Sequence, residues 1–458
     1  MNVFMSTMND HAVRVRMLQQ QIAAGARGLA KDTSNLFRDR GEDAAGTLDV
    51  RELHHVLSVD EGAATIDIEG MTPYDAIIAQ SLRQGLMPCV VPQLRSITIG
   101  GAAAGIGIES SAFRYGLVHE TIDEIDVLLA DGRVVTCTPD NDHRDLFFGF
   151  PNSYGTLGYA LRVRAKAIRT RPYVCLENIR CADADAYFDL LDQCCDGDAD
   201  FIDGVVFARD EMYVVTGRFV DHAPHTSDYT FEHVYYRSIR EKEVDFLTVW
   251  DYLWRWDTDW FWCSKNLYAQ NPIVRRVLGR DRLNSRFYQR VMRWNDRWRL
   301  SQRFDRARGL RRESVIQDVD VPIERAPAFL DFLLREVGVL PIWVCPVTPP
   351  DRSRRFPLFP MPHRRYVNFG FWDVVRSHEA RPEGFVNRRI ERKVQELGGI
   401  KSLYSTSYFP EDEFWTMFDR GAYDALKSRY DPRHRFPDLY EKCVRPGGSD
   451  NRSNAMHR

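Results

Sequence analysis

No Cys-x-x-Cys or His-x3-His spacing occurs in this chain of 458 residues, and the close pair among its nine cysteines is the adjacent Cys194-Cys195, so the pattern offers neither a metal site nor a disulfide framework. The cysteines are expected to be reduced and partly buried, Cys89 and Cys345 in core strands. No run of about 18 apolar residues exists to span a bilayer. Asp10, His11 and Arg14 interrupt the methionine-rich start, which therefore lacks the apolar core of a signal peptide. The expected location is the cytoplasm. A formal charge of −3 with 28% charged residues gives no global attraction for nucleic acid, and none is expected as a partner. Internal repeats are absent too. The length suits two or three domains with a large core.

What the chain does have is residues 92–116, a strand running into a long loop with almost no side chains. Gly100, Gly101, Gly105 and Gly107 follow Thr98 and are separated by alanines. Glycines there turn backbone N–H groups toward one point and build a concavity for an anion such as a pyrophosphate. A nicotinamide fingerprint would need a following helix and an acidic residue about 20 positions on, which this loop does not display. It leads instead through Tyr115-Gly116-Leu117-Val118-His119 to a hairpin at 122–129 with its turn at Ala130-Asp131-Gly132-Arg133. A second small-residue run, 151–158, carries Ser153, Gly155, Thr156 and Gly158 ahead of an alternating strand at 159–167. Two such loops edged by strands suit a two-phosphate cofactor held between sheets.

Thr98-Ile99-Gly100-Gly101, Gly107-Ile108-Glu109-Ser110-Ser111, Arg114-Tyr115-Gly116-Leu117, Leu129-Ala130-Asp131-Gly132, Asp145-Leu146-Phe147 and Tyr154-Gly155-Thr156-Leu157-Gly158, in this order, resemble the FAD-binding domain of the vanillyl-alcohol-oxidase-type (PCMH-type) flavoproteins. Within that superfamily the chain is most similar to delta(24)-sterol reductases and to bacterial flavoproteins that reduce or desaturate methyl-branched fatty acyl chains. Val315-Ile316-Gln317-Asp318-Val319-Asp320-Val321-Pro322, Leu340-Pro341-Ile342-Trp343, Glu413-Phe414-Trp415 and Phe436-Pro437-Asp438-Leu439-Tyr440 extend the likeness over roughly residues 28–443, and Lys31-Asp32-Thr33-Ser34-Asn35-Leu36-Phe37-Arg38 is closer to the fatty-acyl branch.

The resemblance implies an α+β fold, with a two-part FAD-binding domain and an inserted α+β substrate domain. It places noncovalent FAD against Lys31, Thr33, Ser34, Asn35, Thr98, Gly100, Gly101, Gly105, Gly107, Ile108, Glu109, Ser110, Ser111, Gly116, His119, Ser153, Gly155, Thr156 and Gly158. Here Lys31, Thr33, Ser34 and Asn35 stand where most members carry an Arg-Gly-x-Gly-like loop. Glu109 orients the loop or touches FAD, and His119 faces the flavin or is a hydrogen-bonded histidine of the sheet. NADPH is implied as a transient electron donor. The expected chemistry is reduction or desaturation of a lipid carbon–carbon bond, with Tyr404 or Tyr366 moving the proton, a role that suits a phenol protonated at neutral pH. The alternatives are a sterol-type reductase, a sugar or alcohol oxidase, and a noncatalytic binding flavoprotein. The oxidase reading is weakened because Ser405 and Thr406 stand where those enzymes place a lysine, with Lys401 several residues earlier.

The expected boundaries are 1–170 for the FAD domain, 171–397 for the substrate domain, 398–445 for a segment returning to the flavin, and 446–458 for a disordered tail. Helices are expected at 12–26, 73–85 (Thr72 as N-cap, Pro73 at the first helical position), 182–194, 325–337 and 383–397, with two short strands within 48–70, strand-like runs within 171–179, 202–219 and 315–348, and strands at 366–372 and 398–408. Residues 247–313 hold seven of the ten tryptophans and, from Arg275 to Arg312, fourteen arginines. Trp plus Arg is the composition of an interface with anionic lipid, so this segment is expected to hold the protein at the inner face of the membrane. The competing reading is a helical cap with core aromatics and solvated arginines.

Overall fold

The computed structural model describes residues 2–38, 46–231, 233–298 and 300–444. Two large sheets organise the α+β fold. The first holds β3 (Val56–Asp60), β4 (Thr65–Glu69), β8 (Tyr159–Arg169), β6 (Ile122–Leu128) and β7 (Val134–Cys137) in that spatial order, with β5 (Leu86–Pro88) also paired to β8. Alternation explains β8: Leu161, Val163 and Ala165 point into the core, while Arg162 points out and donates to Asp126 at 2.7 Å, with Asp67 and Glu124 as further partners. The hairpin of β6 and β7 closes where the sequence places it.

A parallel pair, β1 (Gly28–Ala30) with β2 (Thr47–Asp49), packs beside this sheet. The helix Asn2–Ala23 secures it from outside, burying Leu18 and Ile22 against Leu48, Leu128 and Leu161 and holding the buried Glu69 through His11 and Arg14. The next helix, Tyr74–Ser81, begins one residue later than expected: Pro73 is its N-cap, and the Thr72 hydroxyl instead donates to the carbonyls of His55 and Glu69.

The second sheet has eight strands in the order β12 (Val244–Thr248), β9 (Tyr173–Cys181), β11 (Glu211–Val220), β10 (Phe201–Ala208), β14 (Ile342–Val347), β15 (Tyr366–Ser377), β13 (Arg311–Pro322), β16 (Ile400–Lys401). One face is sealed by helices Ala184–Cys195, Ala326–Phe332 and Phe385–Glu396, which bury Leu191, Phe329, Ile390 and Val394 against Val315, Val319 and Phe369. The other face turns toward the first sheet. Strand structure in the expected run 398–408 is limited to Ile400–Lys401, because Ser402 and the residues after it leave the sheet to enter the space between the two. The expected tail 446–458 lies outside the described residues.

Candidate active site between the two sheets

A cavity of about 1030 Å³ opens between the sheets, at the upper end of the size of small-molecule sites. Its inner wall is the glycine-rich segment, which differs from the expected long loop. Ile99–Ala104 is a short helix capped by the Thr98 hydroxyl, which accepts from Gly101 N at 3.2 Å, and the true loop is the stretch after it. The helix forms because Gly100 lets the backbone approach Gly70, whose carbonyl would lie 2.6 Å from any Cβ added there. The Ile99 and Gly100 N–H groups are consumed by Thr72 and Gly70 carbonyls. None of the backbone hydrogen bonds that tie this region down uses the N–H groups of Ile106, Gly107 or Ile108, which line the cavity and are left for anionic oxygens.

Around this wall the structure gathers Lys31, Thr33, Ser34, Asn35, Thr98, Gly100, Gly101, Gly105, Gly107, Ile108, Gly155 and Gly158, residues far apart in sequence. Gly101 is exposed to the cavity, and a Cβ on it would meet nothing but the Thr98 hydroxyl, at 2.9 Å. Gly107 is a glycine for a different reason, since Val118 would lie 2.6 Å from its Cβ. Asn35 is fixed from behind, its Oδ1 accepting from Ser96 at 3.2 Å and from Gln289.

Besides the Ile106–Ile108 N–H groups, Gln93 Nε2 of this cavity is buried without a hydrogen-bond partner, while the Tyr154 and Tyr404 hydroxyls approach the Leu403 backbone and Asp318. A buried unpartnered polar group costs about 1–3 kcal/mol, so this set fits a ligand with polar edges and polyol and phosphate oxygens. The far wall is aromatic. Phe37 meets Trp372 edge-on with ring centroids 4.8 Å apart and Tyr404 at 5.9 Å, and Trp260 stands behind Phe37 at 5.8 Å.

Asp318 was missed by sequence reasoning. It lies in β13 with its carboxyl on the cavity beside Tyr404, and burial pushes its pKa from 3.8 up to about 7. Burial, reinforced by Asp318, raises the Tyr404 phenol well above its ordinary value. The available signal was an aspartate alternating with valines in the apolar run 315–322, which places it on the strand face opposite the helix-covered core.

Other expected residues are elsewhere. Ser110 and Ser111 do not reach the cavity: the Ser110 hydroxyl is spent on Glu109 and Tyr252, and that of Ser111 donates to Cys89 O at 2.7 Å. Glu109 is the partner of a buried Arg255, which bridges it at 2.7 Å to Asp203 at 2.8 Å and so ties the first sheet's loops to the second sheet. Gly116 sits at φ +75°, with Glu120 Oε2 2.3 Å from an added Cβ, and serves a tight turn. His119 is buried edge-on against Phe356, away from the cavity, and burial drops its pKa to about 3. The Thr156 hydroxyl closes back onto Ser153 O at 2.8 Å, and the Ser153 hydroxyl is buried away from the cavity wall. Tyr366 is also off the cavity, its hydroxyl accepting from His363 N. Lys401 is consumed by Glu391 at 2.8 Å in a buried pair.

The tryptophans of the 247–313 segment divide between the core and the surface. Trp254, Trp256, Trp260 and Trp262 are buried, and Trp262 Nε1 donates to Trp372 O at 3.1 Å, bracing the aromatic wall. Trp294 is 57% exposed, and the side chains at 293 and 295–302, including Arg297, Trp298 and Arg299, lie outside the described residues.

Comparison with known proteins agrees with this geometry. Residues 27–138 match the model of an FAD binding domain. The human delta(24)-sterol reductase is 27% identical over 466 residues, covering 95% of this chain and 86% of the relative. The Arabidopsis thaliana delta(24)-sterol reductase is 24% identical, covering 86% of this chain and 76% of its own length. A decaprenylphosphoryl-beta-D-ribose oxidase from Mycolicibacterium smegmatis is 27% identical over 34% of each chain. With the enclosing sheets and the glycine-rich wall, these matches identify the chain as an FAD-dependent oxidoreductase similar to the vanillyl-alcohol-oxidase (PCMH) type.

Proposed function

We propose that this flavoenzyme acts on a carbon–carbon double bond of a lipid acyl chain, in the reducing direction, with NADPH as electron donor. The observation that carries the reading is the pairing of an aromatic wall, Phe37, Trp372 and Tyr404, with one carboxyl, Asp318, raised to about 7. Bound FAD supplies hydride exchange with carbon. The protein's own residues do the rest. The Ile106–Ile108 backbone and the polar side chains of 31–35 hold the phosphates, and Phe37 and Trp372 exclude water. Asp318, protonated near neutrality, holds the proton that an alkene carbon must receive, and Tyr404 is positioned to pass it. A sugar or alcohol substrate is disfavoured because Ser405 and Thr406 stand where such enzymes place a lysine, and the nearby Lys401 is locked to Glu391. The sterol relatives leave open a rigid alkene in place of an acyl chain.

The lipid would be reached from a surface formed by the helix Pro272–Leu278. Ile273 and Val277 are 73% and 76% exposed, Tyr268 beside them 79%, and Arg276 shares their face. Apolar anchors with an interleaved cation suit adhesion to an anionic membrane. Among the described residues no helix is long and apolar enough to cross one.

The test is an anaerobic titration of the holoprotein with NADPH, followed by a phospholipid bearing a methylene-branched acyl chain. Bleaching by NADPH, recovery of the flavin band by the lipid, and a product richer by two hydrogens are expected. Bleaching by an alcohol or sugar with no response to lipid overturns the reading.

A further inference from the structure

A second chamber of about 860 Å³ adjoins the flavin cavity, and Phe37 lines both. Its floor is β13: Ser314 and Ile316 line the second chamber, and Asp318, on the same strand face, lines the first. Its outer rim carries Arg306, Arg311, Arg312 and Arg381. Arg312 is engaged with Asp305, and Arg381 with Glu379 at 2.8 Å. Glu313 is engaged too, accepting from the Val386 and Asn387 N–H groups that open the next helix. Arg306 and Arg311 have no acidic partner among the described residues, while Glu383, which also lines the chamber, is exposed. Deeper in, the Ser405 hydroxyl is buried, 2% exposed, with no hydrogen-bond partner.

Two uncommitted guanidinium groups and an orphaned hydroxyl in a polar chamber describe a receptor for a phosphate-type anion. At about 3.3 Å per residue, Arg311 lies about 23 Å along β13 from Asp318. We infer that the second chamber is a phosphate subsite, recognising the anionic end of a ligand whose other end passes Phe37 to reach Asp318. The same chemistry belongs to a phospholipid headgroup and to the phosphates of a nicotinamide dinucleotide. The lipid source rests on the function proposed above; the phosphate subsite itself does not.

The holoprotein and its Arg306→Ser/Arg311→Ser variant are compared by calorimetric titration with inorganic pyrophosphate, with flavin content as the check on folding. At least about a tenfold loss of pyrophosphate affinity at unchanged FAD is expected, since charge-assisted hydrogen bonds are each worth about 1.5–3 kcal/mol. Two further titrations assign the source: NADPH followed by flavin bleaching, and phosphatidylglycerol in neutral detergent micelles followed by flavin absorbance shift. A rise in the apparent constant for the first assigns the chamber to the dinucleotide, and for the second to the lipid. Should the variant lose flavin, Ser405→Val replaces it, with the same expected weakening. Equal pyrophosphate affinity in wild type and variant, or no affinity in either, overturns the subsite. Pyrophosphate binding with no turnover of any lipid would sink the proposed function and leave the subsite standing.

Discussion

The tryptophan half and the arginine half of residues 247–313 differ in composition and have opposite fates in the fold. From Trp250 to Trp262 the indoles turn inward and brace the wall that carries Phe37 and Trp372. From Pro272 onward much of the chain faces outward, with Ile273, Val277 and Trp294 exposed, while Leu283 and Tyr288 stay in the core and the buried Arg275 is neutralised by Asp259 at 2.5 Å. Periodicity separates them: an interfacial helix needs a regular apolar stripe, whereas the first half is helical just over Val249–Leu253 and continues in turns. Where the spacing is helical, the apolar side chains are left exposed. When it is not, the same residues build a core.

If the inward half serves the reaction and the outward half serves contact with lipid, substitutions on the two sides fail in different assays. The largest effect is expected at the proton site: Tyr404→Phe and Asp318→Asn each retain FAD and its reduction while lipid turnover falls by about two to four orders of magnitude, read by stopped-flow spectra. Behind the wall, Arg255→Met leaves Glu109 and Asp203 buried without their cation and should destabilise the fold by roughly 3–5 kcal/mol in urea melts. Gly101→Val drives a branched side chain into the cavity and should strip most of the flavin, measured as the ratio of flavin to protein absorbance. A full complement of FAD would move the phosphates elsewhere. Gly107→Val is a poorer probe, because its collision with Val118 perturbs packing first.

The pH profile sharpens the same comparison. The Asp318 carboxyl is raised to about 7, so it is protonated below that pH and ionised above it. Proton delivery should then be flat below about pH 7 and fall up to tenfold per unit above it, while the oxidising direction, which needs the base, should rise. Asp318→Asn should abolish both trends. Because the acid form is the one burial favours, this group's contribution to stability is also lost as pH rises through about 7. The smallest effect belongs to the outward half: Ile273→Glu with Val277→Glu should lower sedimentation with anionic vesicles several-fold, leaving FAD content and turnover of micellar lipid unchanged. Unaltered sedimentation would return this helix to ordinary solvated surface.

The α+β class, most helices and the hairpin were legible because each rests on local periodicity or turn chemistry. The glycine-rich stretch was legible as a cofactor wall but not in detail, since Gly100 and Gly107 answer to Gly70 and Val118, neighbours no spacing rule foresees. Ser110, Ser111 and His119 look like ligands in sequence, yet their partners Tyr252, Cys89 and Phe356 come from remote segments. Asp318 was hidden for the opposite reason. An aspartate in a valine strand reads as an exposed position until the strand is seen to border a cavity.

Phe37 bridges in parallel to Ser405, and its N–H donates to Tyr404 O at 2.9 Å, so two stretches far apart in sequence shut the cavity together. During synthesis, then, the early segment waits for its mate. At about 5–20 residues per second, the stretch between Phe37 and Ser405 takes roughly 18–74 s to make. Until it leaves the ribosome, the nascent protein exposes an open cleft lined with aromatic rings. Capture of the flavin is thereby deferred until Tyr404 and Ser405 have emerged, and starvation for riboflavin should leave a chain with these aromatic rings in solvent as the form that chaperones and proteases meet.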